Sequence, residues 1–168
     1  MSDETAFRIV KEMIGQRGYS LCGEEVKDYL VYTRGDERLH LCDHVHDRIG
    51  TASYNKILEN AIKHKMNHLI VLSTHKETSL VTKRIEHFTE MKMEIFIVKN
   101  CQMNITKHKY VPAHRQLTLE ESDRIRDLVG ERLPILLRSD PIARFYDFEP
   151  GRVVEIQRRD CVTYRVVK

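Results

Sequence analysis

The densest group of chemically versatile side chains in this chain is His40, Cys42, Asp43, His44 and His46. Imidazole, thiolate and carboxylate are the common ligands of zinc, and on an extended strand His40, Cys42, His44 and His46 fall on one face. A closed site needs further ligands at metal spacing, and no second cluster supplies them. Alternating polar residues are also what the wet side of an edge strand requires, so solvated histidines are expected, with no metal and no other cofactor. Nuclease chemistry would use an acid-x-Lys triplet to hold a metal and an attacking water. Two triplets fit, Glu25-Val26-Lys27 and Glu90-Met91-Lys92. Both fall in segments of helical spacing, where residues two apart do not share a face. No glycine-rich phosphate loop, G-x-S-x-G or H-E-x-x-H occurs, so no catalytic residue is expected. Arg152, Arg158, Arg159, Arg165 and Lys168 gather near residue 160. With no Trp, and with Phe145, Tyr146, Phe148 and Tyr164 as the nearby aromatics, this region lacks the stacking platform of a single-strand binder. Protein docking is the favoured use of these cations.

Several elements are needed to position these groups. Apolar residues at three-and-four spacing predict helices over 6–14, 24–32, 51–66 and 80–91. Alternation over 38–45 and apolar runs over 68–73 and 93–98 predict strands. Two buried strands, each preceded by an amphipathic helix, imply an α/β layer with parallel neighbours. Val111-Pro112 is a natural joint, because the residue before proline is pushed out of the helical region. Beyond it, Thr118-Leu119-Glu120-Glu121 reads as a capping box whose helix continues through Ile125, Leu128 and Val129 to Gly130. Asp140-Pro141 reads as an N-cap and first turn, Pro150-Gly151 as a turn, and 152–157 with 162–167 as a hairpin.

The 168 residues are 41% apolar and carry 28 Lys and Arg against 25 Asp and Glu. The balance is 15 against 15 over 1–101 and 13 against 10 over 102–168. An excess of 3 is too small to mark a free-standing nucleic-acid binder. No apolar stretch nears the roughly 20 residues that span a bilayer, so no membrane association is expected. The opening Met-Ser-Asp-Glu-Thr has no leader pattern, and the cysteines at 22, 42, 101 and 161 form no C-x-x-C pair. A soluble intracellular protein with reduced thiols is expected.

One ordered series of blocks is more specific. It comprises Asn104-Ile105-Thr106-Lys107-His108, Val111-Pro112-Ala113-His114, Leu117-Thr118-Leu119-Glu120-Glu121, Leu133-Pro134-Ile135, Asp140-Pro141-Ile142-Ala143-Arg144, Gly151-Arg152-Val153-Val154-Glu155-Ile156 and Val162-Thr163-Tyr164-Arg165-Val166. It resembles the fifth, shared subunit of the eukaryotic nuclear RNA polymerases and its small archaeal RNA polymerase counterpart. Arg17-Gly18-Tyr19 and Ile49-Gly50 extend the likeness, more loosely, to the N-terminal jaw of the eukaryotic form, which the archaeal one lacks. Connections are shorter here than in the family, and Glu149-Pro150 stands where a basic pair commonly precedes the glycine.

The resemblance implies an α/β N-terminal jaw domain over 1–101 and a small α+β C-terminal assembly domain over 102–168. It implies a noncatalytic subunit of multisubunit DNA-directed RNA polymerase, acting in DNA-templated transcription and partnered by the other subunits. The C-terminal domain would dock on the largest subunit, and the jaw would lie near downstream duplex DNA in the assembled complex only. The docking residues expected on this basis are Asp140, Pro141, Ile142, Ala143 and Arg144, supported by Val154, Thr163, Tyr164 and Arg165. Location would be the nucleus, or a viral factory or virion for a large DNA virus. The alternatives are a stand-alone metal-dependent nuclease on the jaw fold and a transcription regulator that mimics the subunit.

Overall fold

In the computed structural model, which describes residues 3–130 and 132–168 and leaves the side chains of 24 and 25 aside, the first element is α1 (Asp3–Gln16). Asp3 and Glu4 in its first turn face the positive end of its dipole. Its apolar stripe, Ile9, Val10, Met13 and Ile14, is buried. After Gly18, held at φ +86°, come β1 (Ser20–Val26), β2 (Tyr29–Arg34) and β3 (Glu37–His46). Two crossovers follow: α2 (Thr51–Lys63) leads to β4 (His68–Ser73), and α3 (Ser79–His87) to β5 (Lys92–Ile97). The five strands lie in chain order, with β1, β2 and β3 antiparallel and β3, β4 and β5 parallel.

The predicted helix over 24–32 is corrected to a hairpin. Val26, Tyr29 and Leu30 have helical spacing, but Tyr29, Val31, Tyr32 and Thr33 are β-branched or aromatic and prefer a pleated surface. Asp28 makes the turn at φ +66°, a conformation Asp tolerates. Gly35 at φ +58° turns the next hairpin, where Arg34 faces Glu37, so it ends a strand and not a helix. The helix over 80–91 is shorter than predicted, because Phe88 is extended and the chain turns toward β5. Neither acid-x-Lys triplet is helical. Val26 closes β1, and Lys92 opens β5.

β3 is also corrected, from an edge strand with one wet face to the central strand of the sheet. On one face Cys42, Leu69, Val71, Met93 and Ile95 pack with Tyr54, Ile57 and Ala61 of α2 and Val81 of α3. On the other, Leu39, Leu41, Ile70 and Leu72 are wholly buried, and Phe7 and Lys11 of α1 border Val45. β4 is buried along its whole length, as a parallel strand covered on both faces must be. One buried charge crosses this unit. Arg17 donates to both oxygens of Glu94 at 2.8 and 3.0 Å, and His68 Nε2 lies 2.7 Å from Glu94 Oε1. Burial alone would raise the Glu94 carboxyl. The hydrogen bond from His68 and the charge and hydrogen bonds of Arg17 outweigh it and hold the group well below its ordinary value.

The contacts divide the chain after Met103 into two compact units. The second begins with a 3-10 turn (Ile105–Lys107) and contains β6 (Ala113–Gln116), α4 (Leu119–Val129), β7 (Ile135–Leu136), α5 (Pro141–Tyr146), β8 (Val153–Gln157) and β9 (Val162–Val167). Its four-stranded sheet has the order β6-β8-β9-β7, with β7 parallel to β9 and the other pairs antiparallel. The chain as a whole is a mixed α/β protein with two sheets. All four cysteines are free thiols, and among the described residues no helix is long and apolar enough to cross a membrane.

Candidate functional site

The site is built on α5, a helix of six residues that depends on its caps. Asp140 Oδ1 accepts the Ile142 N–H at 2.9 Å, Pro141 occupies the first turn, and Asp147 closes the helix at φ +57°. Ile142 and Ala143 face inward and join Leu136, Phe148, Val154, Ile156 and Val167 in the core of the second unit. α5 thus covers one face of the sheet. The opposite face carries Val153, whose N–H donates to Ser122 Oγ of α4 at 3.4 Å.

The register sorts the expected docking residues. Ile142, Ala143 and Val154 are at most 5% exposed, so they support the surface from beneath and do not form it. Pro141 is exposed and Arg144 half-buried. Ile156 pairs with His114 of β6 and Thr163 of β9, and Val154 pairs with Arg165. Thr163 and Arg165 therefore share the α5 face with His114. Arg158 Nε donates to Thr163 Oγ1 at 3.3 Å, and Arg165 Nη1 to the Ile135 carbonyl at 3.3 Å. Tyr164 is not part of this group. It pairs with Glu155 on the α4 face, where Arg115 bridges Glu155 and Glu121.

His114 is the residue on which the patch converges, and sequence reasoning missed its role. Its Nδ1–H donates to the Pro112 carbonyl at 2.7 Å, which leaves Nε2 as a lone-pair acceptor on the neutral ring. Burial lowers its pKa most; the Pro112 bond and Asp140 act to raise it, and Arg158 and Arg165 to lower it. Asp140 and the guanidinium groups of Arg158 and Arg165 thus act electrostatically on the same imidazole. Such a group can make directional charge-assisted bonds to a partner, and nothing in it is arranged as a nucleophile and base. The signal was present in the sequence as Val111-Pro112-Ala113-His114, but only the sheet order reveals what β6 adjoins.

α4 offers a second surface. Its capping box forms as predicted, with Glu121 N–H donating to Thr118 Oγ1 at 3.2 Å and Thr118 N–H to Glu121 Oε2 at 2.8 Å. Its helix runs through Ile125, Leu128 and Val129 to the cap at Gly130, as the sequence predicts. Leu119, Leu128 and Val129 are 61%, 79% and 56% exposed, and Ser122 is the helix's buried residue. Nearby in sequence, Ile135 and Leu137 also stand exposed on either side of buried Leu136. Glu90 and Lys92 of the nuclease-like triplet are both exposed, and Glu90 belongs to no group of potential metal ligands among the described residues. The side chain of Glu25 lies outside the described residues.

Comparison with known proteins places these observations. Residues 103–167 match the family model described as RNA polymerase Rpb5, C-terminal domain. The chain is 29% identical over 180 aligned positions to 454R of Invertebrate iridescent virus 6, named for a DNA-directed RNA polymerase; the match covers 97% of this chain and 98% of that one. It is 35% identical to DNA-directed RNA polymerase subunit Rpo5 of Sulfolobus acidocaldarius, over 39% of this chain and 88% of the relative. It is 35% identical to DNA-directed RNA polymerase V subunit 5A of Arabidopsis thaliana, over 56% of this chain and 43% of that relative. The matched part thus spans nearly all of the viral and archaeal proteins and less than half of the plant one.

Proposed function

The chain belongs to the family of the fifth RNA polymerase subunit, represented by Rpb5 and Rpo5, and from that membership we propose that it is a noncatalytic subunit of a multisubunit DNA-directed RNA polymerase. It acts in DNA-templated transcription by joining the other subunits, which carry the chemistry. The observation that supports this most directly is the match over 103–167, the stretch that forms the second sheet with α4 and α5.

In this reading residues 102–168 are the assembly domain and dock on the largest subunit. Asp140, Arg144, Thr163 and Arg165, joined by His114 and Arg158, supply directional polar contacts. The exposed Leu119, Leu128 and Val129 supply a separate apolar area on the α4 side of the sheet. Residues 1–101 are the jaw and lie near downstream duplex DNA in the assembled enzyme. With 15 basic and 15 acidic residues the jaw holds no duplex by itself. The enzyme works in the nucleus, or in a viral factory if the chain serves a large DNA virus.

Copurification of the largest subunit with the tagged chain tests the assignment. The wild-type chain is expected to bring down the polymerase. The double variant Arg158→Glu, Arg165→Glu is expected to recover at least about tenfold less of the largest subunit, the scale of one lost charge-assisted contact. Undiminished recovery with both charges reversed overturns the placement of the docking surface. Failure of the wild-type chain to recover any polymerase subunit overturns the function.

A further inference from the structure

Strand β3 is drawn in near its C-terminal end. Leu41 pairs with Ile70 and Val45 with Leu72, so the three residues 42–44 of β3 lie opposite the single residue Val71 of β4. A regular strand rises about 3.3 Å per residue, which sets alternate side chains roughly 6–7 Å apart. A bulge shortens the strand and re-aims its side chains. Here the ligand atoms of Cys42, His44 and His46 all lie within 4.8 Å of one another. Cys42 Sγ is 3.3 Å from His46 Nε2, and the His44 and His46 ring centroids are 4.6 Å apart. A tetrahedral ion with Zn–S near 2.3 Å and Zn–N near 2.05 Å sets its sulfur and nitrogen ligands roughly 3.5 Å apart. The three side chains are therefore close to the geometry of shared coordination.

We propose that Cys42, His44 and His46 bind one divalent transition-metal ion of the zinc type, with water completing the coordination from the solvent side. The bulge reverses the expectation from the sequence, where regular alternation left these residues as separate solvated groups. The thiol is 2% exposed on the floor of the sheet, His46 is half-buried, and His44 is exposed, so the site opens in one direction. Its backbone is fixed, because Asp43 N–H donates to the Asp28 carbonyl at 2.8 Å and the His46 carbonyl accepts Thr74 N–H at 2.9 Å. One sulfur and two imidazole nitrogens select zinc or cobalt over magnesium or calcium. His40, the fourth residue expected on that strand face, lies outside the group, buried at 4% exposure. On binding, the Cys42 S–H bond gives way to a sulfur–metal bond, the proton passes to water, and both imidazoles coordinate as neutral ligands with no change of oxidation state.

The test is titration of the untagged 168-residue chain, first stripped with EDTA, with Co²⁺ alone and then with Zn²⁺ as competitor. The expected result is one equivalent bound, a thiolate-to-cobalt charge-transfer band, tetrahedral d–d absorption, and loss of both on adding Zn²⁺. Cys42→Ser is expected to abolish the charge-transfer band. His44→Ala, a change at an exposed side chain, is expected to weaken affinity at least about tenfold with an unchanged circular dichroism spectrum. Absence of the band in the wild-type chain overturns the proposal. So does a band that persists in a folded Cys42→Ser chain but disappears in Cys161→Ser, and so does unaltered affinity in His44→Ala.

Discussion

At the scale of single residues, the buried group of Arg17, Glu94 and His68 has the clearest energetic consequence. Glu94→Gln removes the buried carboxylate that Arg17 and His68 share and is expected to destabilise the first unit by about 3–5 kcal/mol at neutral pH, measured by urea unfolding. The pH dependence has a definite sign. A carboxyl depressed in the folded state stabilises above its ordinary value of 4.5, and that stabilisation is lost as pH falls through the folded value. The gap between wild type and Glu94→Gln is therefore expected to be constant above pH 4.5 and to narrow steadily below it. A gap independent of pH would assign the loss to packing instead of charge. The sequence held a trace of this pair, since Glu94 interrupts the apolar run over 93–98. Its partners were out of reach of any periodicity, because Arg17 lies 77 residues away and His68 26.

At the scale of elements, local rules were legible wherever a single segment carried them. The capping box on α4 and the N-cap of α5 involve atoms at most three residues apart, and both formed where the residues predicted. Thr118→Ala is expected to cost about 1 kcal/mol and to lower the melting point of the second unit by roughly 4–8 °C in a calorimetric scan. The hairpin over 20–34 was misread because Val26, Tyr29 and Leu30 satisfy a helical template as well as a strand one, and β3 decides between them by pairing with β2. The exposure of Leu119, Leu128 and Val129 on α4 was not legible in the sequence, because apolar spacing marks a helix without saying which of its sides the fold covers. Leu128→Lys is accordingly expected to shift stability by less than about 0.5 kcal/mol while reducing recovery of the polymerase's largest subunit. A large stability loss would mean that Leu128 packs within its own unit.

At the scale of the whole molecule, the two units make separable demands. A fragment of residues 104–168 is expected to recover the largest subunit without the rest of the chain. If it folds by circular dichroism and recovers nothing, the second unit is not the docking module. The intact chain is expected to bind duplex DNA only weakly at physiological salt, and a salt-titrated affinity tighter than about 10⁻⁸ M would contradict what the charge balance of the first unit implies. The order of strands adds a consequence for synthesis. The strands of the first sheet lie in the order in which they emerge, β1 through β5, so each one's preceding neighbour is made before it. The second sheet departs from this: β9 follows β7 and β8 in the chain, yet it lies between β8 and β7 and joins the one to the other. Nascent chain paused before residue 162 would display a finished first unit and an unclosed second one. The surface that spans β7, β9 and β8 therefore exists only once β9 has been made, so a chain paused earlier offers the strands of that face unjoined.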